Sequence, residues 1–197
     1  DITRAFVPHA AFNGFVGTPK GPWVVRQLDR ERQLVRSPDN EPLEGYEVAP
    51  GEVMLSAAGG CMFIVAVGHL PDGRMRMIFS HAGRDSLIDR GRIKGEPPRR
   101  HEGVLYAIAK IFKKWDIEPN HIEVHGLFSI SPSVFVHPFS HREWSSFNRT
   151  MLKDIQARWG AGAAYEVSLG EHGVAIDLST LLRAQAEELR IFAAKTY

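Results

Sequence analysis

The sequence predicts a mixed, mostly antiparallel α/β fold in which strands form the core and helices flank it. Two observations predict this. Strand-like segments outnumber helical ones and come mostly in hairpins. Three segments carry helical periodicity, enough to cover a sheet. Both favour a layered fold over a doubly wound parallel sheet. No glycine-rich phosphate loop of Rossmann or Walker type is present, so nucleotide binding by those routes is not expected.

The elements follow in chain order. Ile2–Val7 reads as a strand, and Trp23–Leu28 and Arg32–Arg36 as two more, before a loop at Ser37–Pro42. Leu43–Val48 is expected at a sheet edge. From Glu52 the apolar run EVMLSAAGGCMFIVAV and the segment RMRMIFS form one hairpin about Pro71-Asp72-Gly73, since Pro presets φ and Asp-Gly tolerates a tight reversal. The segment GRDSLIDRGRIKGEPPRR reads as a locally basic surface loop. His101–Lys114 carries a helical stripe of Val104, Leu105, Ile108, Ile111 and Phe112. Ile122–Phe128 then completes a β–α–β unit. Ser140 and Glu143 have capping-box spacing ahead of a helix faced by Phe147, Met151, Ile155 and Trp159. Tyr165–Leu169 and Val174–Leu178 form a second hairpin, and Ser179 or Thr180 starts a terminal helix with Leu182, Ala186, Leu189 and Ala193 inward.

A chain of 197 residues suits a single domain over 1–197, with a core at 51–135 and a hairpin and helical extension at 140–197. A net charge of +1 argues against dedicated nucleic-acid binding. No apolar run has transmembrane length, so no membrane association is expected; the cytoplasm and delivery as an effector both stay open. Asp at position 1 leaves a preceding leader open. With a single cysteine, the fold has no internal disulfide to rest on.

The chemistry-bearing signal lies in the first hairpin. A turn centred on Asp72 pairs residues whose numbers sum to about 144, so His81 faces Phe63. Cys61 is then a diagonal neighbour of His81 on the same face, at roughly 7–8 Å in a regular ladder. A thiol beside an imidazole is the minimal activated nucleophile, because the imidazole takes the thiol proton. Gly59 and Gly60 precede Cys61 and give room for a substrate and for backbone N–H groups aimed at an oxyanion. Ser56, Ser129, Ser131 and Ser133 are candidates to orient the imidazole, with Asp85 also near along the chain. Arg84, Ser129 and Ser131 are candidate substrate-loop residues. The rival chemistry is an open zinc site from Cys61, His81 and either His125 or His137.

These residues resemble the cysteine hydrolases that include CheD-type glutamine deamidases, the cytotoxic necrotizing factor catalytic domain and YfiH/laccase-domain proteins. From about Gly51 to Phe135 the order is similar to that of CheD. Ala58-Gly59-Gly60-Cys61 stands where CheD has Leu-Gly-Ser-Cys, and His81 ends the second strand. Pro98-Arg99-Arg100-His101 leads into a helix, and a strand and small-residue segment follow. The position of the CheD threonine falls on Leu55, with Ser56 the nearest hydroxyl. His81-Ala82-Gly83-Arg84 resembles the His-Ala-Gly-Trp-Arg segment of YfiH proteins, without its Trp. The resemblance implies a β-sandwich core with helices outside. It also implies a cofactor-free deamidation by Cys61 and His81 of an exposed glutamine or asparagine on a protein partner. Its YfiH branch implies instead a zinc-dependent nucleoside enzyme. A third reading is a binding domain with Cys61 merely buried.

Overall fold

The computed structural model describes residues 4–6, 16–17, 45–48, 52–54, 60–89, 93–95, 103–168 and 172–194. Its centre is the predicted hairpin of β5 (Met62–His69) and β6 (Met75–Ala82). The turn forms because Gly73 takes a φ of 82°, open to glycine, and donates to Leu70 O at 3.0 Å. Asp72 Oδ1 accepts from Arg74 N at 3.0 Å and closes it. The register follows the expected sum, with Met62 opposite Ala82, Phe63 opposite His81 and His69 opposite Met75.

The strands of this sheet lie in the order β11-β7-β5-β6-β3-β2, comprising Phe192–Ala193, Ile122–Leu127, the central hairpin, Gly45–Val48 and Val16–Gly17. β7 pairs antiparallel with the free edge of β5, so β6 and β7 run parallel with β5 between them. The chain crosses from one to the other through α1 (Arg84–Leu87) and α2 (Val104–Lys114), the expected β–α–β unit. Three strand assignments change. β3 is interior, because β2 pairs with its outer side. The run from Glu52 is not one arm: β4 (Glu52–Met54) pairs parallel with β1 (Arg4–Phe6). β11 adds to β7 in parallel, so Ala193 lies in a strand rather than in the terminal helix. The segments proposed at Trp23–Leu28 and Arg32–Arg36, and the loop between 37 and 42, fall outside the described residues.

Even-numbered side chains of β5 face the helices. Met62, Ile64 and Ala66 are fully buried in one cluster with Ile108 and Phe112 of α2. Gly68 continues this face, and a Cβ there would lie 2.6 Å from Phe112 Cε1, so the missing side chain admits the ring. The same cluster takes in Met151 and Ile155 of α3 (Ser145–Trp159), and Leu181, Leu182 and Ala186 of α4 (Leu178–Glu188). Between these helices β9 (Ala164–Val167) and β10 (Gly173–Ile176) form the second hairpin, extended by β8 (Val136–Pro138). Each fully buried Met, Ile, Leu or Phe side chain of this cluster stabilises the fold by about 1.5–3 kcal/mol.

Both later helix starts differ from expectation. The capping box at Ser140 and Glu143 is not used, because α3 begins later. His141 Nδ1 instead accepts from the N–H groups of Glu143 and Trp144, both at 3.2 Å. α4 is capped by Asp177, whose carboxylate accepts from Thr180 N at 2.9 Å, rather than by Ser179 or Thr180. No helix among the described residues is long and apolar enough to cross a membrane.

Candidate active site

Three segments reach one end of the main sheet: the start of β5, the end of β6 and the end of β7. Phe63 pairs with His81 on one side and Leu127 on the other, so the three share a row. Period-two alternation puts Cys61, one step before β5, on the face of Phe63 and His81. The Phe63 ring meets the His81 ring edge-on at 5.8 Å.

Gly83 shows how closely thiol and imidazole approach. A Cβ there would lie 3.0 Å from His81 Nε2 and 3.1 Å from Cys61 Sγ. The two atoms therefore lie close to one point and stand no more than about 6 Å apart. The Gly83 backbone is extended, with φ −76° and ψ −179°, so the position needs an empty volume and not an unusual conformation. Any side chain at Gly83 would crowd both the thiol and the imidazole.

His81 is buried and Cys61 half-buried. The other ring nitrogen, His81 Nδ1, lies 3.0 Å from the fully buried hydroxyl of Ser86. Ser86 was missed in the sequence because α1 has a single turn and no periodic signature. That turn begins at Gly83, which accepts from Ser86 N at 3.1 Å, and carries the hydroxyl back over the imidazole. Of the hydroxyls expected to orient the ring, Ser56 lies outside the described residues, as does Gly59. Ser129 bonds the carbonyl of Ile130 at 3.4 Å, and Ser131 and Ser133 bond each other at 2.8 Å, so these hydroxyls serve their own loop. Gly60 sits against this loop, where a Cβ would lie 2.9 Å from Ile130 Cδ1.

Arg84 is held in place. Its Nε and Nη2 donate to the two Asp85 oxygens at 2.7 and 3.0 Å, and Nη1 lies 3.0 Å from His137 Nδ1. This fork ties α1 to β8, so Arg84 and Asp85 brace the segment that carries Gly83 and Ser86. Burial, with the Arg84 cation beside it, lowers the His137 pKa to about 4. The ring is therefore neutral at pH 7, and Nδ1 accepts from Arg84. His137 Nε2 is buried with no hydrogen-bond partner among the described residues.

The zinc set does not assemble as expected. His125 pairs with Val65, four residues along β5 from Cys61, and its Nε2 lies 3.0 Å from Glu123. At about 3.3 Å per residue it stands well outside the reach of a shared ion. Among the described residues no three His, Cys, Asp or Glu side chains form a group able to hold a metal. Among the described residues, Cys61 and His81 are thus two nitrogen and sulfur donors without a third.

No family model matches the sequence, and no curated protein does. Solved structures do match. A Neisseria meningitidis protein described under the family model DUF152 aligns with a TM-score of 0.57 at 12% identity, over 98% of this chain and 62% of its own. The Bacillus licheniformis hypothetical protein YfiH aligns at 0.52 and 9%, over 94% of this chain and 64% of its own. The chain thus spans under two thirds of the length of either. What it shares with them is the fold, a mixed and mostly antiparallel α/β architecture of the YfiH/DUF152 kind.

Proposed function

We propose that the protein is a cysteine-dependent amidohydrolase that deamidates glutamine or asparagine side chains of a protein substrate, with Cys61 as nucleophile and His81 as base. One observation carries the reading: Cys61 Sγ and His81 Nε2 converge on the space that Gly83 leaves empty. When His81 Nδ1–H donates to Ser86 Oγ, Nε2 carries no proton and is able to take that of the thiol. The thiolate attacks the carboxamide carbon, and the carbonyl electron pair moves to oxygen. As the tetrahedral carbon collapses, the C–N bond breaks and the imidazolium gives its proton to departing ammonia. Water, deprotonated by His81, then hydrolyses the thioester to the side-chain carboxylic acid, which ionises, and restores the thiol. Every other residue named acts through position: Ser86 on the imidazole, Arg84 and Asp85 on α1.

Alkylation of Cys61 by iodoacetamide tests the dyad. The reading expects rapid modification at pH 6, slowed at least tenfold in His81→Ala, with the fold intact by circular dichroism. Equal and slow modification in both proteins would leave Cys61 a buried residue of a binding domain.

A second reading draws on the likeness of fold to YfiH proteins: a zinc-dependent nucleoside enzyme. It requires a third metal ligand beyond Cys61 and His81. Zinc content measured on the alkylation sample separates the two. Stoichiometric zinc that protects Cys61 from alkylation favours the nucleoside enzyme, and a metal-free, reactive thiol favours the deamidase.

A further inference from the structure

We propose that Phe128 is the specificity-determining residue of this site, gripping an apolar side chain next to the carboxamide residue of a polypeptide substrate. The inference rests on the deamidase reading and names its substrate more closely. Two features of Phe128 have no structural reason among the described residues. Its φ of 59° lies in the left-handed region, an outlier for a bulky aromatic residue. The residue is 67% exposed. On a regular ladder Phe128 would stand opposite Met62 and point with it into the core, since Leu127 pairs with Phe63. The backbone reversal turns the ring outward instead. Strain held in an exposed aromatic one residue past the row of His81, at the head of the loop whose Ile130 meets Gly60, is the mark of a position that the substrate uses.

The surroundings point to an extended ligand. The loop that begins at Phe128 touches the nucleophile's own segment through Ile130 and Gly60. It carries a second outward apolar side chain, Val134, 71% exposed. Between them stand the hydroxyls of Ser129, Ser131 and Ser133. A small ligand such as a nucleoside is ordinarily enclosed by the side chains that bind it. Here both apolar residues of the loop are exposed, which fits a polypeptide laid along the loop with hydrophobic residues beside its glutamine.

The test measures ammonia release from paired glutamine peptides whose residue next to glutamine is Leu or Phe in one and Ser in the other. Wild type, Phe128→Gly, Val134→Ser and Cys61→Ala are compared. Glycine relieves the left-handed φ, so folding is retained, and the alkylation profile of Cys61 reports whether the dyad is assembled. Wild type is expected to favour the apolar-flanked peptide at least tenfold in kcat/KM. Phe128→Gly should bring the pair level through KM, with kcat moved less than threefold. An undiminished preference in Phe128→Gly, or none in wild type, overturns the assignment while the deamidase reading stands. No Cys61-dependent ammonia from any peptide or glutamine-bearing protein overturns the deamidase reading, and the assignment falls with it.

Discussion

At Gly83 a single hydrogen atom stands where any other residue would put carbon within 3.1 Å of both reactive groups. Gly83→Ala is therefore expected to slow Cys61 alkylation at pH 6 at least tenfold while the protein stays folded, read by mass spectrometry beside a thermal melt. Ser86→Ala frees the imidazole tautomer and is expected to slow the same reaction several-fold, with Ser86→Thr restoring part of the rate. His137 supplies a pH signature of another kind. The folded pKa is about 4 and the unfolded value is near 6.5, so the unfolded chain binds the extra proton between them. Stability should rise with pH across that window, by up to about 1.4 kcal/mol per unit from this group. It is lost as pH falls through the folded value. Urea midpoints at pH 4.5 and 6.5 should show the difference in wild type and a smaller one in His137→Gln.

The element scale shows how much of the site was legible in the sequence. Pro71-Asp72-Gly73 set the register by local chemistry, and a register needs no knowledge of the rest of the chain. That is why Phe63 and His81 face each other as expected. Ser86 stayed hidden because its role depends on a one-turn helix stabilised by tertiary contacts, among them Gln185 Nε2 donating to Leu87 O at 2.6 Å. The capping box at Ser140 failed for a related reason. The local spacing was correct, but His141 satisfies the amides and the helix starts after it. The interior place of β3 was illegible because a strand's far edge is filled by pairing that no local pattern records. Packing at Gly68 gives an element-scale prediction. Gly68→Ala forces Phe112 off its seat and should cost about 1–3 kcal/mol in denaturant midpoint, with Cys61 reactivity largely retained.

At the scale of the whole molecule, α2, α3 and α4 are tied by one carboxylate. Glu188 accepts from Tyr106 Oη at 2.8 Å, Trp159 Nε1 at 3.0 Å and Arg158 Nη2 at 3.1 Å. Burial works to raise its pKa, and these three hydrogen bonds outweigh burial and hold it below the usual range. Its contribution is thus present above the unfolded carboxyl pKa and lost as pH falls through the folded one. Tyr106 shifts the other way, raised by burial and then by its bond to Glu188, so its contribution is lost as pH rises above 10. Glu188→Ala should lower the melting temperature, corresponding to about 1–3 kcal/mol, and leave alkylation unchanged. That outcome would separate the helical clamp from the sheet end that carries Cys61 and His81.

The hairpin that brings Cys61 and His81 together has a consequence for the order of events in time. Cys61 and His81 sit near the open ends of two strands that begin to pair at Asp72, and the pairing lies close along the chain. Pairings between near neighbours in sequence close sooner than distant ones. A pulse of iodoacetamide during refolding would thus turn the thiol into a clock. The imidazole arrives when the hairpin is zipped, and Ser86 fixes it only once α1 has docked. Two successive rises in labelling rate, the second absent in Ser86→Ala, would separate the birth of the pair from its tuning.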